Sequence, residues 1–228
     1  MKKLSIKDVI EFRKKSNRSK LTFVSNLRYG EDKKNTDRGG DYWISAVSAI
    51  NNCYKYKNIQ YIIDKRNELE GKYEIAEYRN TKIMYKKNIE LLSVGEELDF
   101  DKWRPIGEMK YMKKYNDYSI LNIEGLHVKV SPSHIFTFKE DGVEKIGAIW
   151  FIAKQFGYSK EELGMFADIL YRYLTFYYCE TYSISSQYCI AVDVFRGFDI
   201  NYLQLQEAEI SQILSSTIDE IKSAMNFN

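Results

Sequence analysis

Few residues of this chain have side chains that could do acid–base, nucleophilic or metal chemistry together. Among 228 residues there are two histidines, His127 and His134, and three cysteines, Cys53, Cys179 and Cys189. The cysteines lack CxxC spacing, so a zinc site is not expected, and buried, reduced thiols are predicted. Neither histidine has an obvious acidic partner for a serine or cysteine hydrolase. The chain also lacks the GxxxxGK[ST] and GxGxxG loops that bind nucleotide phosphates, and the G-x-S-x-G turn.

The stretch HVKVSPSHIFTFKEDGVEKIGAIWFIAK, residues 127–154, is the main candidate for a functional segment. It is predicted as two apolar strands joined by a tight EDG turn. Pro132 lies early in the first strand, and Lys154 ends the second. His134 beside Ser133 could serve as a base or a metal ligand, but a single strand histidine is more often structural or surface-exposed.

Helical periodicity is typical of the chain before residue 96. Ser5 with Asp8 begins a first helix, and Asp41 can cap a helix through residues 43–54. Residues 59–92 predict one long helix, or two helices broken near Gly71. We therefore predict a helical N-terminal region, residues 1–95, with a long helical arm whose simplest role is a scaffold or a protein contact.

The rest of the chain predicts strands followed by alternating helices and strands. Three sequential antiparallel strands are expected between residues 119 and 154, and a capping box of Ser159 and Glu162 begins the next helix. An apolar strand over residues 187–195 and a C-terminal helix follow. The predicted fold class is α+β, with an α/β core domain at residues 96–228 that contains a mixed sheet.

The order helix, three strands, helix, strand resembles the core of the PD-(D/E)XK nucleases, the restriction-endonuclease-like superfamily. The resemblance covers roughly residues 119–195 and implies an αβββαβα core. In an active member, an acid follows the proline of the second strand, and an acid-x-lysine triplet ends the third. Two carboxylates then hold Mg²⁺ against the scissile phosphate, while the lysine positions or activates the attacking water.

This sequence departs from that pattern at both acids. Pro132 matches, but Ser133 stands where the family has aspartate; Lys154 matches, but Ile152 stands where the second acid belongs. A serine does not supply the charge of a carboxylate, and an isoleucine offers Mg²⁺ no ligand. The resemblance therefore implies a catalytic role only for Lys154.

Acids elsewhere could rebuild a metal site. Glu162 is the preferred candidate because it begins a helix near the lysine end of the sheet, although its capping box explains it without a metal. Further acids in the same part of the chain are Glu124, Glu144, Glu161 and Asp193.

The net charge of +2 conceals an asymmetry between the two ends of the chain. Residues 1–38 contain twelve basic and five acidic residues, a net of +7, whereas residues 155–228 have a net of −6. The candidate nucleic-acid-binding residues are Arg13, Lys14, Lys15, Arg18 and Lys20, because Lys and Arg placed against phosphates release counterions. The same asymmetry is expected if the two ends face each other, or if lysine only aids solubility.

Three functional hypotheses follow. The leading one is a non-catalytic or altered nuclease-like protein that binds DNA or RNA, or acts in a nucleic-acid-associated assembly. The alternatives are an active metal-dependent nuclease with relocated acids, and a protein-interaction module that forms a homo-oligomer or binds a protein partner. No cofactor is expected under the leading hypothesis. Mg²⁺ is expected only if the protein is an active nuclease. Because no run of about 18 apolar residues exists and the N-terminus is amphipathic, no membrane contact and a cytoplasmic location are predicted.

Overall fold

The protein has an α+β fold with two mixed sheets, so the α+β class predicted from the sequence is confirmed. In the computed structural model, the residues described are 3–29, 42–113 and 120–226. The helices are α1 (Ile6–Arg13), α2 (Asn17–Tyr29), α3 (Ile44–Tyr56), α4 (Gln60–Ile75), α5 (Arg79–Glu96), α6 (Lys160–Tyr178), α7 (Tyr202–Gln206) and α8 (Leu214–Asn226). The strands are β1 (Leu4–Ser5), β2 (Lys110–Tyr111), β3 (Ile120–Ile123), β4 (Leu126–Lys129), β5 (His134–Glu140), β6 (Val143–Ile152), β7 (Ser183–Asp193) and β8 (Phe198–Asn201).

A five-stranded sheet with the order β2-β5-β6-β7-β8 forms the centre of the molecule. Strands β5 and β6 are antiparallel, whereas β6 and β7 are parallel and are connected through α6. Asp141 and Gly142 both have positive φ, at 51° and 79°, as the tight two-residue hairpin turn requires. The predicted EDG hairpin is therefore confirmed.

The prediction of a single strand through residues 127–138 is wrong. Strand β4 ends at Lys129 and belongs to a three-stranded sheet with the order β1-β4-β3, whereas β5 begins at His134 in the larger sheet. Pro132 lies between the two strands, where its lack of a backbone N–H removes no hydrogen bond from either sheet. The proline thus marks the place where the chain passes from one sheet to the other.

The two faces of the large sheet are covered by different helices. On β6, Ile146, Ala148 and Ile152 pack in a cluster with residues of α1, α2, α6 and α8. Ile149 and Phe151 point to the other face and pack with α3, α4 and α5. This alternation follows from the two-residue period of a strand. Helices α1 and α2 thus cover one face of the sheet, and α3 to α5 cover the other. The domain boundary predicted at residue 95 stays a prediction.

The predicted helical stretch 59–92 consists of two helices. The break lies at residues 76–78, whereas Gly71 lies inside α4. The outermost buried residues of this antiparallel pair are Leu69 in α4 and Asn88 in α5. Residues 70–87, called the arm below, contain no buried residue. Asp41, the predicted cap of α3, lies outside the described residues.

The three cysteines differ in exposure. Cys53 and Cys189 are buried, as predicted, but Cys179 is exposed just after α6, so the prediction of a third buried thiol is wrong. Burial raises the pKa of Cys53 to about 11, which keeps this thiol protonated near neutral pH. No helix in the described part of the chain is long and apolar enough to cross a membrane.

Candidate functional site

Lys154 lies two residues beyond the end of β6, in the connection to α6. The strand alternation puts it on the same side as Ile152, which packs in the cluster that contains α1. Its Nζ atom lies 3.2 Å from Oε1 of Glu11 on α1 and 4.5 Å from the centre of the Tyr158 ring. An ion pair and an aromatic face therefore surround the ammonium group.

Glu162 lies in the same place because it belongs to the first turn of α6. Its Oε1 atom lies 2.6 Å from Nζ of Lys14, and its Oε2 atom accepts a hydrogen bond of 3.1 Å from the backbone N–H of Ser159. The capping box predicted for Ser159 and Glu162 is thus confirmed. The hydrogen bond from Lys14 to Glu162 raises the pKa of Lys14. Glu11, Lys14, Lys154 and Glu162, called the ion-pair cluster below, join α1 to the β6–α6 connection.

The β6–α6 connection is held in an unusual backbone conformation. Phe156 and Gly157 both have φ of 70°, and Phe156 is exposed. Arg196 donates hydrogen bonds to the carbonyl oxygens of Phe156 and Tyr158, at 2.8 and 3.3 Å. A Cβ atom on Gly157 would lie 2.5 Å from Asp193 Oδ2, so only glycine is accommodated there.

Asp193 is fully buried at the end of β7, beside Ile152 of β6. Its Oδ2 atom accepts the backbone N–H of Tyr158 at 2.9 Å, and Oδ1 accepts those of Phe195 and Arg196 at 3.1 and 3.4 Å. Burial raises the pKa of Asp193, and these backbone donors act in the opposite direction. The carboxylate therefore fixes two loops and has little lone-pair capacity left for a metal.

Ser133 and His134, at the start of β5, make structural contacts. The Ser133 hydroxyl oxygen accepts the backbone N–H of Phe151 at 3.0 Å and is buried. The His134 ring stacks on Tyr54, and its Nε2 lies 2.9 Å from the carbonyl oxygen of Asn51. These contacts bind β5 to β6 and to α3.

The other predicted acids do not meet Lys154. Glu124 lies in the β3–β4 turn and pairs with Lys222 at 2.8 Å. Glu144 begins β6, so about 30 Å of extended strand separates it from Lys154. Glu161 lies in the first turn of α6, where its backbone N–H and the Ser159 side chain lower its pKa. Within residues 3–29, 42–113 and 120–226, no group of three metal-ligating side chains is assembled.

The predicted nucleic-acid-binding cations lie on α1, on α2 and in the turn between them. Lys14 and Lys20 are neutralised by carboxylates, the latter by Glu220 of α8 at 2.5 Å. Arg13 donates to the neutral hydroxyl of Thr217 at 2.8 Å, and Lys15 lies 6.0 Å from the centre of the Phe23 ring. The alternative that the two charged ends face each other is therefore confirmed for α2 and α8.

Three of those cations keep their charge uncompensated. Arg13, Lys15 and Arg18 have no carboxylate within ion-pair distance among the described residues. Arg13 and Arg18 are exposed, and Lys15 is partly exposed. They flank Lys14, a member of the ion-pair cluster, in the sequence.

A cavity of 270 Å³ lies beside the same end of β6. Ile152 and Ala153 line one wall, Trp43 and Asn51 contribute from the α3 side, and Lys7 of α1 closes part of the rim. Among the described residues that line it, Lys7 is the charged one, and most of the others are aromatic or aliphatic. Such a cavity suits an apolar or aromatic group next to an anion.

The sequence pattern does not reveal Glu11 or Arg196. Glu11 is separated from Lys154 by 143 residues, and no motif connects them. Arg196 follows a strand end, and its role depends on the backbone path of a loop 40 residues away. Only the tertiary structure brings these side chains to the Lys154 end of the sheet.

Comparisons with protein-family models, with curated proteins and with solved structures find no match for this chain. Its function therefore has to be inferred from the side chains that meet at the Lys154 end of the sheet.

Proposed function

We propose that this chain is a non-catalytic, nuclease-like protein with an αβββαβα core that binds nucleic acid along the surface of α1 and the α1–α2 turn. The observation that carries the proposal is the ion-pair cluster. Its two carboxylates, Glu162 and Glu11, bind the ammonium groups of Lys14 and Lys154 beside the end of β6. These carboxylates are engaged in ion pairs, which favours a structural or binding role over the activation of a water molecule.

Metal-assisted cleavage is disfavoured by the chemistry of this cluster. Mg²⁺ needs carboxylate oxygens that are free to coordinate it at about 2.1 Å in octahedral geometry. Glu162 is engaged by Lys14 and by a backbone N–H, and Asp193 by three backbone N–H groups. A metal ion would have to displace both sets of contacts.

Nucleic-acid binding is favoured by the uncompensated cations next to the cluster. Arg13, Lys15 and Arg18 are close in sequence at the junction of α1 and α2, and Lys14 among them contacts Glu162. Phosphate contacts by such side chains supply most of the affinity in sequence-independent binding. The neighbouring cavity offers an aromatic wall for a base.

Fluorescence anisotropy with labelled single- and double-stranded DNA and RNA at 50 and 200 mM salt tests this proposal. We expect Lys15→Glu with Arg18→Glu to weaken binding about tenfold or more and to reduce its salt dependence, since two phosphate contacts become repulsive. The matched control reverses two exposed lysines elsewhere on the sheet, Lys110 and Lys139, and should change affinity less than threefold. Absence of binding to all four ligands at 50 mM salt contradicts the nucleic-acid function.

Cleavage assays with Mg²⁺ or Mn²⁺ on the same substrates separate binding from catalysis. We expect no metal-dependent cleavage by the unmodified protein. Cleavage that disappears in both Lys154→Ala and Glu162→Ala would show instead that the protein is an active nuclease with relocated acids.

A further inference from the structure

The arm, residues 70–87, carries charged side chains of two kinds. Four of them are engaged within the molecule: Glu70 with Arg66, Lys72 with Glu68, Lys82 with the Tyr73 ring, and Lys87 with Gln155. The other four have no ion-pair or hydrogen-bond partner among the residues that the structure describes: Glu74, Glu77, Arg79 and Lys86. All four are exposed.

Large apolar side chains are exposed between these four charges. Ile75 is 80% exposed, Tyr78 is 75% exposed and Ile83 is 39% exposed. On α5, Ile83 shares one face with Arg79 and Lys86 because the spacing is i, i+4, i+7. We call Ile75, Tyr78, Ile83 and the four unpaired charges the tip patch. Isolated exposed apolar residues are ordinary, but three together at the end of a helical pair favour a binding surface.

We propose that the tip patch binds a second copy of this chain. Two acids and two bases without partners among the described residues lie within residues 74–86, so this exposed stretch carries both signs of charge and is its own electrostatic complement. That is the property a two-fold symmetric interface requires, because each surface meets an identical one. In the dimer, Glu74 and Glu77 of one copy pair with Arg79 and Lys86 of its partner, around a centre formed by the apolar side chains.

Other binding partners would be complementary in charge to only half of the tip patch. A nucleic acid would be repelled by Glu74 and Glu77. A strongly acidic or basic protein would meet like charges either at these two acids or at Arg79 and Lys86. The patch is small, so we expect a weak dimer with a dissociation constant of about 1–100 µM that rises with salt. The proposal is independent of nucleic-acid binding, since it uses neither α1 nor α2.

Sedimentation equilibrium at 1–200 µM protein and at 50 and 500 mM salt measures the self-association. Glu74→Lys with Glu77→Lys makes the patch wholly basic, and Arg79→Glu with Lys86→Glu makes it wholly acidic. We expect each double variant alone to weaken dimerisation at least tenfold, because like charges then face each other. An equimolar mixture of the two should form a heterodimer that is at least as tight as the original homodimer.

Two controls keep the result specific. Lys110→Glu with Lys139→Glu reverses charges outside the arm and should leave the dimer unchanged, and circular dichroism should show native helix content in every variant. Tyr78→Asp should also weaken the dimer at least tenfold without a change in the folded state. A chain that stays monomeric at 200 µM, or a dimer that survives both arm variants and Tyr78→Asp, overturns the proposal. Anisotropy of nucleic acid binding to the arm variants should match that of the unmodified protein.

Discussion

At the residue scale, the sequence does not show whether an acidic residue near a strand lysine binds a metal ion or has a structural role. Asp193 and Glu162 are both acids that could bind a metal, and the structure gives each a different task. Asp193 accepts three backbone N–H groups and fixes the loops after β6 and β7. Glu162 completes a capping box and binds Lys14. The capping box could be recognised from its i, i+3 spacing, whereas the partners of Asp193 are defined by the loop conformation.

Asp193→Ala tests the structural role of this carboxylate. We expect the free energy of unfolding to fall by about 2–4 kcal/mol, because buried backbone N–H groups lose their acceptors. Asp193→Asn should cost less, since one oxygen remains. Urea denaturation followed by tryptophan fluorescence measures the change.

Asp199→Ala is the control for that prediction. Asp199 pairs with Lys102 at 2.9 Å on a partly exposed surface, so its removal should cost less than about 1 kcal/mol. Equal losses for the two alanine variants would show that Asp193 has no special structural role.

At the element scale, the pairing of β6 with β7 depends on a glycine. The register shifts opposite Gly147: from Ile146 to Ala148 strand β6 advances by two residues, whereas β7 advances by five, from Ile184 to Cys189, so the extra residues lie in β7. A Cβ atom on Gly147 would lie 2.7 Å from Cβ and 2.8 Å from the carbonyl oxygen of Tyr188. Tyr188 belongs to the neighbouring strand and cannot move away without disturbing the ladder. The sequence shows a glycine in an apolar strand but not the strand against which it packs.

Gly147→Ala should therefore lower the free energy of unfolding by about 2–3 kcal/mol, through overpacking against β7. Gly71→Ala is the opposite case, because nothing lies within 4 Å of its Cβ position and the residue is exposed inside α4. We expect it to stabilise the protein by up to about 1 kcal/mol. Thermal and urea denaturation of both variants check the two signs. Equal effects of the two substitutions would contradict the overpacking of Gly147 against Tyr188.

At the scale of the whole molecule, the two ends of the chain pack together. Helix α1 contacts α6 and α8, and α2 contacts α8; buried side chains such as Phe12, Val24 and Ile218 belong to one cluster. Arg13 bonds to Thr217, and Lys20 to Glu220. The opposite charges of the two ends thus have an intramolecular explanation, although Arg13, Lys15 and Arg18 remain available to an external anion.

Because β5, β6 and β7 contribute side chains to both clusters, neither face should unfold alone. Ile218→Ala lies on one face and Leu92→Ala on the other, and both side chains are fully buried. We expect each substitution to cost about 2–4 kcal/mol and to shift one common transition. Far-ultraviolet circular dichroism and tryptophan fluorescence should give the same midpoint. Two separated transitions would show that the faces are independent units.

Features that depend on local spacing are recognisable in the amino-acid sequence. Helical and strand periodicity, the capping boxes at Ser5 and Ser159, and the Asp141–Gly142 turn are recognisable because the interacting residues are close along the chain. The departures at Ser133 and Ile152 were also visible in the sequence. The helix break predicted near Gly71 is wrong, because a glycine is tolerated inside an exposed helix.

Contacts between residues that are distant in the sequence become visible only in the folded chain. The change of sheet near Pro132, the pairing of Glu11 with Lys154, and the packing of α2 on α8 join segments that are far apart in the sequence. No short pattern encodes these contacts, since they depend on how apolar faces of separate elements are buried together. The fold class could therefore be predicted from periodicity, whereas the chemical surroundings of Lys154 were decided by the packing of α1 and α6 on the sheet.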